Sequence, residues 1–173
     1  QINNGTGMLY PIPFGDLSKG EVVELATGGM LSKIRTRETV NCGVAIPDSF
    51  GGNNTGSDKI VGMGVDYCRA MAAALFQGNS DHVKFTTFPE TENSSFIALA
   101  NGTIDVLVGG RIQRKYDFES PLTLEGFHFS TPYYYGNESA KDDASLYSIA
   151  TREDDAVFSS FVNCVVIATI HAQ

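Results

Sequence analysis

Basic residues are scarce in this 173-residue chain: 12 Lys and Arg stand against 20 Asp and Glu, for a formal net charge of -8 and a pI near 4.7. A protein that grips nucleic acid displaces counterions with a basic stripe, and no such stripe is present. The acidity instead favours solubility. Long apolar runs are missing too: nothing approaches the roughly 18 residues that a membrane span requires. The chain opens on Gln1 rather than Met, which reads as a processed mature end.

Catalytic signatures are equally scarce. His82, His128 and His171 are scattered without metal-ligand spacing. No His-Glu-x-x-His helix and no Gly-x-Ser-x-Gly elbow occurs, and the Gly-Met-Gly at 62 to 64 lacks the Lys-Ser/Thr of a phosphate loop. Asp66 reads as a helix-capping carboxylate. The Asp142-Asp143 and Asp154-Asp155 pairs read as solvated turn or helix-start charges. No enzyme and no cofactor is implied.

What the chain has in excess is Asn-x-Ser/Thr, at Asn4, Asn53, Asn93, Asn101 and Asn137. Ten asparagines, with Ser and Thr at roughly one residue in six, would give about one or two by chance. The excess points to a secreted, extracellular glycoprotein carrying N-linked glycans. Three cysteines fit an oxidising compartment with one thiol left over.

At 42% apolar content the chain can bury one ordinary core. Residues 1 to 30 stand apart as an N-terminal arm rich in turn signals, with only Glu21 to Ala26 looking regular. The arm either wraps its own domain or docks on a neighbouring copy. From residue 30 strand and helix alternate: a helix over Met30 to Arg37, a strand over Thr39 to Ile46, a helix over Val65 to Gln77, a strand over Val83 to Phe88, a helix over Pro89 to Ala100 and a strand over Ile104 to Val108. That order predicts an open, mostly parallel, three-layer α/β sheet. Cys42 lies on the inward face of the first strand and Cys68 on the apolar side of the covering helix. A disulfide between them and a pair of buried thiols both remain open. Cys164, grouped with Val157, Phe161, Val165 and Ala168, is expected to be a reduced core residue.

The segment GTIDVLVGGRIQRKYDFES at 102 to 120 runs from a buried strand into two glycines and three cations, Arg111, Arg114 and Lys115. Ligands in open α/β sheets collect at the carboxyl ends of the strands. Gly110 would let the backbone approach, and an Arg fork at 111 or 114 could hold a carboxylate. The same cations could instead pair with Asp117 and Glu119 at the surface.

Three stretches, KIRTRETVNCGV (33 to 44), GMGVDYCRAMAAALF (62 to 76) and FIALANGTIDVL (96 to 107), resemble the first lobe of the polar amino-acid-binding proteins of ABC importers, the type II periplasmic-binding fold. The likeness is to the general L-amino-acid-binding branch, which similarly places one cysteine before Gly-Val and another before Arg-Ala. YSIATREDDAVFSSFVNCVVIATIHAQ, at 147 to 173, is similar to the family's last strand and helix. The resemblance implies a solute-binding protein that takes a free amino acid, with its carboxylate on an Arg after the third strand. Here Tyr116-Asp117 occupies the place of the family's Arg-Asp pair, leaving Arg111 and Arg114 as candidates. Phe50 falls in the loop after the first strand, where the family often places an aromatic or polar side chain against the ligand; core filler or loop anchor is its other role.

The resemblance also implies a second lobe between the crossover after PYYYG and the returning strand, whereas here the short linker 137 to 146 (NESAKDDASL) fills that gap. A single lobe over 31 to 173 is therefore expected. A lone lobe cannot bury a ligand by hinge closure. This favours a repurposed building block, a self-assembling extracellular filament or other homopolymer whose copies are joined through the arm, over amino-acid capture for transport or sensing.

Overall fold

The computed structural model describes residues 28–46, 53–54, 60–89, 94–109, 126–136 and 145–172. Helix α1 (Met30–Arg37) buries Met30, Leu31 and Ile34 and carries Arg35 and Arg37 in its last turn, where cations suit the helix dipole. It stops at Glu38, which adopts the left-handed conformation (φ 57°). Strand β1 (Val40–Ile46) follows as a nearly continuous buried run, as expected of a strand covered on both faces. Strands β2 (Asn53–Asn54) and β3 (Ile60–Val61) form a small antiparallel pair that leads into helix α2 (Met63–Leu75).

The chain then runs through strand β4 (Val83–Pro89), helix α3 (Ser94–Ala100) and strand β5 (Val106–Val108). Strands β6 (Phe127–Phe129), β7 (Tyr134–Gly136), β8 (Ser145–Tyr147) and β9 (Ala150–Arg152) come next, and helix α4 (Ala156–His171) ends the described chain. The main sheet has the order β4-β1-β5-β9-β6. β1 pairs in parallel with both β4 and β5, while β9 runs antiparallel to β5 and β6. The sheet is therefore mostly parallel, with one reversed strand.

Two apolar layers sandwich it. Val40, Cys42 and Val44 of β1 pack with Val106 and Val108 of β5 against α1, α2 and α4. On the opposite face Phe96 and Leu99 of α3 cover Ile104, Leu107, Phe127 and Ala150. Gly43 faces this second layer, where an added Cβ would collide with Ile104, so a glycine is what lets β1 lie that close. The three-layer open sheet matches the architecture expected from the sequence. Cys42 and Cys68, both fully buried, are joined as a disulfide that ties β1 to α2.

Several boundaries differ. Pro89 ends β4, opposite Ile46, instead of opening a helix; β4 is an edge strand, where a proline is tolerated. α2 starts two residues earlier than its apolar periodicity indicates, with Gly62 at the N-cap. Asp66 therefore lies inside the first turn without capping it and reaches Arg69 at 3.1 Å. α4 buries Phe158, Phe161, Val162 and Val166, so its packed face is rotated from the predicted one. Val157 is 57% exposed, and Cys164 is exposed rather than a core thiol. The physical reason is that α4 is apolar nearly all round, so its spacing alone could not fix which stripe turns inward.

Candidate functional site

The connections define where a ligand site belongs. From β1 the chain crosses through α2 to β4 on one side of β1, then through α3 to β5 on the other side. β1 and β5 are thus neighbouring parallel strands whose onward connections diverge, and in open α/β sheets the crevice at such a switch point takes the ligand. The register Val44↔Val108 places the carboxyl ends of the two strands side by side. α2 begins at the same edge, turning its N-terminal amides toward it.

The loops that leave this edge carry every ligand-binding candidate: Phe50 after β1, and Gly110, Arg111 and Arg114 after β5. All four lie outside the described residues, as do Asn4, Asn93 and Asn137. Asn53 is described in its backbone alone, at the start of β2, opposite Val61. Asn101 is exposed at the end of α3.

What the structure does place at this edge is a pair of tyrosines. Gly109, at φ 78°, ends β5 in a conformation that favours glycine, and its N–H donates to the Tyr133 hydroxyl at 3.4 Å. The Tyr133 ring lies 4.7 Å from that of Tyr67, which is buried on α2 and whose hydroxyl pKa is raised by desolvation. Together they fix the stem from which the cation-bearing loop departs. The sequence reading missed this pair because it took PYYYG only as a crossover. The available signal was aromatic weight at a strand end.

At the opposite, amino-terminal edge sits the buried carboxylate of Asp105. It accepts from the Asn41 N–H at 2.7 Å and pairs with the Arg37 guanidinium. Burial raises its pKa, outweighing the opposing pull of the Asn41 hydrogen bond and the Arg37 charge. Lying at the edge away from the strands' carboxyl ends and paired with Arg37, it joins β1, β5 and the end of α1. A lone acid between Ile104 and Val106 was the overlooked signal, since a buried charge needs a partner. Elsewhere, an apolar groove of about 360 Å³ runs between α1, α2 and α4, lined by Leu31, Leu75, Phe161, Cys164 and Val165 among others. Arg35 is the charged residue on its wall, which is thin polar equipment for a solute site. Among the described residues no cluster of His, Cys, Asp or Glu could hold a metal ion, and no helix is long and apolar enough to cross a membrane.

One further feature defines the class. β7 and β8 pair antiparallel, Tyr134↔Tyr147 to Gly136↔Ser145, so the chain leaves and re-enters the lobe along one ribbon. Only residues 137 to 144 join the two strands, eight residues where a domain would need about 50. The fold is a single lobe of the type II periplasmic-binding kind, closed at the ribbon.

Comparison with known proteins bears this out. No family model matches the chain. It is similar to the general L-amino acid-binding periplasmic protein AapJ of Rhizobium johnstonii, 38% identical over 89 residues that make up 47% of this chain and 23% of that protein. The chain therefore spans about a quarter of the length of the curated relatives it matches. Among solved structures it is similar to the arginine-bound form of domain 1 from TmArgBP in its Phe57Trp mutant, with a TM-score of 0.61 at 21% identity, covering 80% of this chain and 97% of that one. A periplasmic binding protein from Brucella ovis with glutathione bound aligns with a TM-score of 0.53 at 30% identity, over 62% of this chain and 31% of that one.

Proposed function

We propose that this chain is a non-enzymatic, extracytoplasmic binding lobe for a free amino acid. The observation that carries the reading is the 38% identity to a general L-amino acid-binding protein across a segment of this lobe, combined with the switch point between β1 and β5. A solved neighbour is described as an arginine-bound form of a single domain, which agrees with this reading. The relatives' periplasmic descriptions and a buried disulfide both suit an oxidising compartment.

In this reading Arg111 or Arg114 forks onto the α-carboxylate, Gly110 lets the backbone come close, and Phe50 closes the opposite side. The second lobe is replaced by the ribbon connection, and residues 1 to 30 are an added arm. Calorimetric titration of the full chain with individual L-amino acids tests this. Arg111→Ala or Arg114→Ala should weaken the best ligand by about tenfold or more, since a charge-assisted bidentate contact is lost. Equal affinity in wild type and both variants would remove these arginines from the site.

A second reading is supported by the excess of sequons and the distinct arm: a self-assembling extracellular subunit, filament or other homopolymer, held through residues 1 to 30. It predicts large particles that fall to folded monomers when residues 1 to 28 are deleted. Particles unchanged by the deletion would count against it. The relatives favour the binding reading of the two.

A further inference from the structure

We propose that Asn101 is an N-glycosylation site, with its sugar at the edge of the lobe opposite the ligand loops. Asn101 follows the last residue of α3, and the chain enters β5 at its amino-terminal end a few residues later. Asn101-Gly102-Thr103 is a complete acceptor sequence. In the fold it forms a tight turn: the Asn101 Oδ1 accepts from the Thr103 N–H at 2.9 Å and from the Thr103 hydroxyl at 2.6 Å. The amide therefore spends its oxygen on the turn, while its Nδ2 donates no hydrogen bond among the described residues and Asn101 itself is exposed. Gly102 sits at φ 77°, a left-handed conformation that favours glycine at the middle position. Among the described residues, the two turn bonds fall on the oxygen and leave the nitrogen that would carry the sugar uncommitted.

Two independent features agree with this. Ile97, one helical turn earlier on the same face of α3, is 46% exposed, and a first sugar on Asn101 would cover it. The Cys42–Cys68 disulfide fits the oxidising secretory compartment in which such transfer takes place. The chemistry is a transfer from a polyprenyl-diphosphate-linked oligosaccharide. Nδ2 forms a bond to the anomeric carbon, the bond from that carbon to the diphosphate oxygen breaks with its electron pair leaving on the lipid diphosphate, and the amide loses one proton to a base of the transferase. Because Asn101 lies at the amino-terminal edge of the sheet, the sugar leaves the β1–β5 crevice open. The proposal is independent of the binding reading.

The test is to secrete the full chain from a eukaryotic cell, release N-glycans enzymatically in heavy-oxygen water and map the peptides by mass. Heavy Asp at position 101 is the expected result, and unmodified Asn101 in the secreted, folded chain overturns the proposal. Asn101→Asp keeps a side-chain oxygen that can accept the two turn bonds and replaces the nucleophilic nitrogen with a carboxylate oxygen. That variant should be secreted and folded with the mass of one glycan missing; an unchanged glycan mass would equally overturn the assignment.

Discussion

At the scale of single residues, Asp105 shows how the fold manages an expensive group. Its carboxylate is withdrawn from water and held by the Asn41 N–H and by Arg37, yet burial still raises its pKa above the ordinary value near 3.8. A folded-state pKa above the unfolded one means that the native chain binds the proton more tightly. The stability linked to this group is therefore full below the ordinary carboxylate pKa and is lost as pH rises through the folded one. Denaturant midpoints of wild type and Asp105→Asn, compared between about pH 3 and 7, should show the wild type losing ground to the variant as pH rises. A gap that stays constant across the range would contradict it. Reduction of Cys42–Cys68, which closes a loop across a sequence separation of 26, should cost about 2 to 4 kcal/mol in the same assay, and no shift of the midpoint would contradict that.

At the scale of elements, Asp155 joins the starts of two helices. Its Oδ1 accepts from the Phe158 N–H at 2.8 Å, capping α4, and its Oδ2 accepts from the Met30 N–H at 2.6 Å, satisfying the first turn of α1. Asp155→Ala should thus destabilise the lobe by about 1 to 3 kcal/mol, more than a lone cap removal in a surface helix. A loss under about 0.5 kcal/mol by urea unfolding would show that the two helix starts are not coupled through it. The sequence read Asp155 as a solvated turn or helix-start charge and gave no hint of its second partner, which lies 125 positions away. The same limit explains α4. Periodicity located α1 and the buried stripe of α2, Val65, Cys68, Met71 and Ala72, because polar residues flank those stripes. α4 offers apolar residues on most sides, so the choice of inward face was made by the neighbours it packs on and was not legible in its own spacing.

At the scale of the whole molecule, the alternation of strand and helix was enough to give the sheet and its layers, and the short join between β7 and β8 told against an inserted lobe at that point. The reason is that eight connecting residues cannot fold into a domain, whatever their identity. The candidate site was legible only as a location: the sequence places the cations after β5, and strand topology marks the carboxyl edge as the switch point. The tyrosine pair and the Asp105 clamp escaped because each joins residues far apart in the chain, Tyr67 with Tyr133 and Arg37 with Asp105. A lobe closed at its ribbon leaves one side of any bound solute in water, so affinity should be modest and binding should need no second chain.

The most direct test is native mass spectrometry of the full chain with a mixture of L-amino acids, which reads ligand and chain stoichiometry together. The expected result is a monomeric chain carrying one amino acid. A chain that retains no amino acid and is found only in large multiples of its own mass would contradict it and leave the assembly reading in its place.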